Sequence, residues 1–287
     1  MRLPTRLLHR NPKAHKGDFG HILILAGSAR FSGAAALCSM AAMRSGAGLV
    51  TLGIPKSINP SMIRIKPREV MTLPLPETKE ATLSLSAYGK IKEFVKGVDV
   101  LALGPGLTQN KSTQALARKT ISKIIRPMVI DADGLNALVG HLKILPTTHN
   151  PQHTLILTPH PGEMARLSGL SVKEVQADRN KIAQRFAKDY KITLVLKGRD
   201  TVVSDYKGDL YINKTGNPGM ASAGSGDVLT GMIAAFMAHG LSAFEAAKYA
   251  VYLHGLAGDI AAKRKTQISL IASDIIDSIP EAIKKSS

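Results

Sequence analysis

The chain has 287 residues, 44% of them hydrophobic, which is enough to build one large core. Its single cysteine, Cys38, excludes a disulfide within the chain, and no apolar run reaches the ~18 residues of a membrane span. A net charge of +17 draws anions, but the basic residues are scattered and no aromatics interleave with them, so specific nucleic-acid binding is not expected.

Aromatics make up only 4% and Trp is absent, so the core must be aliphatic. The first ten residues carry arginines and leucines but no long apolar segment or small-residue cleavage site. They do not read as a secretion signal, and a cytoplasmic protein is expected. Short apolar, β-branched runs predict strands at His21–Leu25, Gly48–Gly53, Val98–Leu103, Met128–Asp131, Thr154–Leu157, Thr193–Leu196, Thr201–Ser204 and Leu210–Asn213. Helical patterns fall between them, at Gly33–Ser45, Ser86–Lys96, Lys111–Ile124, Gly134–Val139, Gly162–Ser168 and Val172–Tyr190, then at Asp227–Ala238, Ala243–Arg264 and Ala272–Ser278. The alternation implies an α/β fold with a central, mostly parallel sheet and helices on both faces. The last strands are expected to close antiparallel around Tyr206-Lys207-Gly208. The proline-rich segment 54–78 reads as a surface connection. No repeat or interdomain linker is visible, so a single domain over residues 1–287 is expected.

In open parallel sheets, ligands sit at the carboxyl ends of the strands. Ala26-Gly27-Ser28, after the first strand, leads through Gly33-Ala34 into a helix of tiny residues. These either pack closely or leave room for a bulky ligand. Gly104-Pro105-Gly106 makes a tight turn with exposed N–H groups. Asp131-Ala132-Asp133-Gly134-Leu135-Asn136 clusters two acids and an amide after a strand. They either hold Mg²⁺, directly or through water, or Asp133 only caps a helix. In Thr158-Pro159-His160-Pro161-Gly162-Glu163, two prolines hold His160 extended, and Glu163 either orients a metal-bound water or caps the first helical turn. Lys197-Gly198-Arg199-Asp200-Thr201 is a basic hairpin, either a plain turn or a contact for a nucleotide.

The richest segment is Asn217-Pro218-Gly219-Met220-Ala221-Ser222-Ala223-Gly224-Ser225-Gly226-Asp227, with an apolar helix directly behind it. Small residues and a helix N-terminus suit a phosphate. A carboxylate there would repel an anion, so Asp227 makes better sense as the base for a hydroxyl attacking phosphorus. The bland alternative is an acid at a helix start. No P-loop, zinc-ligand spacing, nucleophile elbow or dinucleotide glycine fingerprint is present.

Together with His15-Lys16-Gly17-Asp18-Phe19-Gly20 and Arg44-Ser45-Gly46-Ala47-Gly48-Leu49-Val50, these segments resemble the ADP/ATP-dependent NAD(P)H-hydrate dehydratases of the ribokinase-like superfamily. The resemblance covers about residues 13 to 262. It implies a ribokinase-like fold and repair of hydrated NADH and NADPH. An adenine nucleotide phosphorylates the C6 hydroxyl, and loss of phosphate restores the ring. Asp227 would be the catalytic base, with Ala223, Gly224, Ser225 and Gly226 as the anion hole. Lys197, Gly198, Arg199, Asp200 and Thr201 would bind ADP or ATP. Ala34, Gly106, His160, Asn136 and Asp227 would shape the hydrate pocket, and Asp131 and Glu163 would position Mg²⁺. Only about a dozen residues precede His15, so the epimerase found in many members is expected to be a separate protein or absent. The standalone form looks like the bacterial members, which favour ADP as donor, and the family's tendency to oligomerise implies a homo-oligomer. The rivals are a vitamin-precursor or sugar kinase of the same superfamily, and a non-catalytic nucleotide-binding module.

Overall fold

Residues 1–145, 150 and 153–287 are described by the computed structural model. The first half contains α1 (Thr5–Leu8), β1 (His21–Leu25), α2 (Ser32–Arg44), β2 (Leu49–Pro55), α3 (Asn59–Ile65), β3 (Met71–Leu75), α4 (Tyr88–Phe94), β4 (Val100–Leu103), α5 (Lys111–Lys123), β5 (Met128–Ile130) and α6 (Asp133–Asn136). The second contains β6 (Leu155–Leu157), α7 (Pro161–Ser168), α8 (Val172–Ala177), α9 (Arg179–Tyr190), β7 (Thr193–Leu196), β8 (Val202–Ser204), β9 (Leu210–Ile212), α10 (Ser225–Ala238), α11 (Ala243–Lys265) and α12 (Ala272–Lys285).

The strands form one sheet in the order β3-β2-β1-β4-β5-β6-β7-β8-β9. All pairs from β3 to β7 are parallel, and β8 and β9 close the sheet antiparallel, as the sequence predicts. Alternate residues of each strand feed opposite layers. Ile22, Ile24, Val50 and Leu52 join one apolar cluster with α2, α10, α11 and α12. Leu23, Leu25, Leu101 and Leu103 join the other, with α4, α5, α7 and α9. Both faces are therefore covered, which is why these strands read as unbroken apolar runs.

The tiny residues of α2 serve close packing against α10. A Cβ on Gly231 would overlap the carbonyl oxygen of Cys38, so only glycine permits this approach.

Three expectations are corrected. The segment 54–78 is not merely a surface connection, because β3 lies in it, at the sheet edge. Pro74 hides that strand in sequence, but an edge position tolerates a missing N–H. The helix expected over Val172–Tyr190 is two helices broken at Asp178. There the backbone leaves the helical region and the side chain accepts the Lys181 N–H. The last helix runs on through Pro280 to Lys285 rather than ending at Ser278.

Among the described residues, no helix is long and apolar enough to cross a membrane.

Candidate active site

The strand order reverses between β1 and β4, since the chain runs from β1 outward to β3 and then returns to β4. This topological switch opens a crevice at the carboxyl ends. Across it, the Gly27 N–H donates to the Pro105 carbonyl at 2.8 Å. A Cβ on Gly106 would lie 3.1 Å from that of Ala34, so these two sequence-predicted pocket residues meet.

The glycine-rich segment delivers α10 to the same end of the sheet. Its N-cap is Gly224, at φ +89, a left-handed conformation that favours glycine, and no side chain caps the helix. Among the described residues, the N–H groups of Gly226 and Asp227 have no hydrogen-bond partner. Free N–H groups at the positive end of a helix dipole suit an anion. The Asp227 carboxylate likewise accepts no hydrogen bond among the described residues, so it is not a cap. Burial, followed by the nearby Asp131 charge, pushes its carboxyl up to about 7. Lys197 opposes the rise and Asp133 adds to it. A free carboxyl poised near neutrality is suited to general-base work.

Beside it lies a buried charge cluster. Asp131, at the end of β5, is 1% exposed. Its Oδ1 accepts from Lys197 Nζ at 2.6 Å, and its Oδ2 accepts from Thr230 Oγ1 at 2.8 Å. Lys197 Nζ also lies 3.8 Å from Glu163 Oε2. Burial alone would lower the Lys197 pKa, but Asp131 and Glu163 outweigh it and hold the ammonium charged, with its pKa raised. A Cβ on Gly226 would lie 3.4 Å from Lys197 Nζ, which places this cation against the first turn of α10.

His160 is the N-cap of α7. Its Nδ1 accepts the N–H groups of Gly162 and Glu163, and Glu163 Oε2 accepts the His160 N–H at 2.8 Å. Partial burial lowers the His160 pKa, so the ring is neutral at pH 7, with Nδ1 used as acceptor. Asn136 is tied to this loop, since Arg166 donates to its Oδ1 at 3.1 Å, and its Nδ2 donates to Asp133 Oδ1. Asp133 Oδ2 in turn accepts the Thr108 N–H at 2.7 Å, just beyond Gly106.

The expected Mg²⁺ ligands are thus engaged within the protein. Asp131 spends both oxygens on Lys197 and Thr230, and Glu163 closes the capping box of α7. Among the described residues, no group of three His, Cys, Asp or Glu side chains is arranged for a metal ion. The cation in this cluster is Lys197, and the residues do not fit a protein-held Mg²⁺.

Of the predicted nucleotide loop, Gly198, Arg199 and Asp200 are exposed, and Asp200 pairs with Lys214 at 3.0 Å. Thr201 Oγ1 donates to the Gly198 carbonyl at 2.8 Å. The loop is held by Arg179, which donates to the carbonyls of Leu196 and Lys197. Sequence reasoning missed Arg179, because its contacts are tertiary. It missed Thr230 as well, although Thr230 stands one helical turn after Asp227. His254, half-buried on α11, has Nε2 3.4 Å from Ser225 Oγ, and its desolvation lowers its pKa to about 4. The sequence carries no local signal for it, since its contact with Ser225 is tertiary.

This fold, with a glycine-rich helix start carrying an acid whose carboxylate is not used in a cap, defines an α/β protein of the ribokinase-like superfamily. A ribokinase-like superfamily protein from Enterococcus faecalis matches it with a TM-score of 0.81 and 26% identity, over 99% of this chain and 95% of that one. The sequence profile of the NAD(P)H-hydrate dehydratase family matches residues 22–281, and the chain belongs to that family. It is 33% identical to the ADP-dependent (S)-NAD(P)H-hydrate dehydratase of Xanthomonas campestris pv. campestris, over 94% of this chain and 90% of the relative. It is 43% identical to the bifunctional NAD(P)H-hydrate repair enzyme of Moorella thermoacetica, over 98% of this chain. The chain spans about half the length of the bifunctional relatives it matches, 52% in that case. The structure of the ADP/ATP-dependent NAD(P)H-hydrate dehydratase of Bacillus subtilis, co-crystallized with ATP/Mg²⁺, matches with a TM-score of 0.84. It is 31% identical, over 100% of this chain and 95% of that one.

Proposed function

We propose that this protein is a nucleotide-dependent dehydratase that returns hydrated NADH and NADPH to NADH and NADPH. The observation that carries this reading is the free Asp227 carboxyl, raised to about 7, next to an uncapped helix start. A structural acid would spend its oxygens on the cap. A base needs them free.

Asp227 takes the proton of the hydrate's C6 hydroxyl as that oxygen attacks the terminal phosphorus of the donor. The new C6–O–P linkage forms while the phosphorus–oxygen bond to the nucleotide breaks. The N–H groups of Gly226 and Asp227, with the loop Ala223–Ser225, hold the charge on the transferring group. Loss of phosphate together with the neighbouring ring proton restores the double bond. Lys197 offsets part of the negative charge of Asp131 and Glu163 beside the reacting phosphate. The loop from Gly198 to Thr201 receives the adenine nucleotide. Ala34, Gly106, Asn136 and His160 line the side where the hydrated ring docks.

ADP is the expected donor, as the name of the Xanthomonas relative states for that protein. Mg²⁺ enters as part of the metal–nucleotide co-substrate, which requires few protein ligands. The reading is tested by absorbance at 340 nm with hydrated NADH, Mg²⁺ and either ADP or ATP. A rise that needs nucleotide and releases phosphate in equal amount is expected. No rise with either nucleotide would transfer the assignment to a small-molecule kinase of the superfamily.

A further inference from the structure

Asn217-Pro218-Gly219 opens the glycine-rich segment but offers a phosphate little, since the Gly219 N–H is spent on Asn217 Oδ1 at 3.0 Å. It sits in the long connection from β9 to α10, residues 213–224, whose regular part is the turn Pro218–Met220. Such a connection has no ladder to fix it, yet it must deliver the N–H groups of Gly226 and Asp227 to a set place. α11 supplies the support.

His254, Gly255, Gly258 and Asp259 fall on neighbouring rows of α11. The two glycines let the connection lie directly on the helix. A Cβ on Gly255 would overlap Thr215, and one on Gly258 would overlap the Met220 side chain. The Thr215 hydroxyl also donates to the Tyr252 carbonyl at 2.8 Å. Asp259, half-buried, ties this contact down. Its Oδ2 accepts the Gly216 N–H at 2.9 Å, and its Oδ1 accepts from Asn217 Nδ2 at 3.0 Å. Asn217 passes the constraint to Gly219 through its own Oδ1. The far end of the loop meets α11 again, where His254 Nε2 lies 3.4 Å from Ser225 Oγ.

We propose that Asp259 is a positioning residue for phosphoryl transfer, acting through Asn217 to set the glycine-rich loop on α11. The inference rests on the dehydratase reading of the Asp227 site. A misplacement of about 1 Å caused far from the chemistry can cost on the order of 10²-fold in rate. Two hydrogen bonds at the base of the loop therefore reach the reaction without touching substrate.

The polarity of the pair supplies the test. Asp259→Asn sets a donor against a donor whichever way the new amide turns, and Asn217→Asp sets carboxylate against carboxylate. In the double variant Asp259→Asn/Asn217→Asp, the new amide donates to the new carboxylate and accepts the Gly216 N–H. The new carboxylate still accepts the Gly219 N–H, so all three hydrogen bonds return. In the 340 nm assay with Mg²⁺ and ADP, each single variant should lose on the order of 10²-fold in kcat. KM for the hydrate should stay within about twofold, because Ala34, Gly106 and His160 are untouched. The double variant should recover to within about threefold of wild type.

A folded Asp259→Asn protein with unchanged kcat would overturn the proposal, as would a double variant no faster than the single ones. Should Asp259→Asn not fold, Asp259→Glu keeps the carboxylate and moves the loop by one methylene, and an unchanged kcat there overturns it equally. A wild type inert towards the hydrate with both ADP and ATP would instead refute the dehydratase reading. Calorimetry with Mg²⁺ and ADP then decides the role of Asp259. The single variants should bind about tenfold more weakly and the double variant as wild type does, whereas equal affinity throughout would overturn the proposal.

Discussion

Replacing Asp227 with Asn should inactivate the protein and stabilise it, and the stabilisation should depend on pH. In the folded chain the Asp227 carboxyl titrates at about 7, because burial and Asp131 disfavour its charge. In the unfolded chain it titrates near 3.9. The folded state therefore binds more protons than the unfolded state between those values, and stability falls as pH rises through this window. The full interval corresponds to about 4 kcal/mol, reached once pH exceeds about 7. Asn has nearly the same shape and no charge to desolvate. Urea unfolding should show Asp227→Asn more stable than wild type by about 2–4 kcal/mol at pH 8.5, with the gap closing towards zero at pH 4.5. The same variant should lose on the order of 10²–10⁴ in kcat, the usual worth of a positioned base. An equal stability difference at both pH values, or a destabilised variant at pH 8.5, would refute the argument that Asp227 is held in a strained protonation state for chemistry.

Further outcomes follow from the same geometry. In the wild type, kcat/KM should rise with unit slope up to about pH 7 and then level, because Asp227 must be deprotonated to act. Lys197→Met leaves Asp131 and Glu163 buried without their cation and should cost about 3–5 kcal/mol in urea unfolding. Adding Asp131→Asn should recover part of that loss. Gly231→Ala forces a methyl into the Cys38 carbonyl and should lower stability by about 1–3 kcal/mol, read as a drop in the thermal midpoint. His160→Ala removes the cap of α7 at about 1 kcal/mol and should raise KM for the hydrate more than KM for the nucleotide.

Much of this architecture is local and therefore legible in the chain. The apolar runs at 22–25, 100–103 and 193–196 are strands because their residues are β-branched or aliphatic throughout and both sheet faces are covered. The start of α10 is legible too. Glycines before an apolar helical pattern mark an uncapped N-terminus, and the acid at Asp227 stands out against it. Strand β3 was not legible, since Pro74 is excluded from a strand unless the strand lies at an edge, and edge position is a property of the assembled sheet.

The site divides the same way. The sequence by itself determined which loops follow strands and which of them carry Asp131, His160, Glu163, Lys197 and Asp227, because turn chemistry and hydrophobic period act over a few residues. Only the tertiary structure decided that Lys197, rather than a metal, sits between Asp131 and Glu163. It alone decided that Asp133 and Asn136 brace the loop beyond Gly106, and that Asp227 is left free and raised to about 7. These are effects of charge and burial between residues far apart in the chain. Their strength depends on distance and on exclusion of water, and neither is set until the sheet has brought the strand ends together.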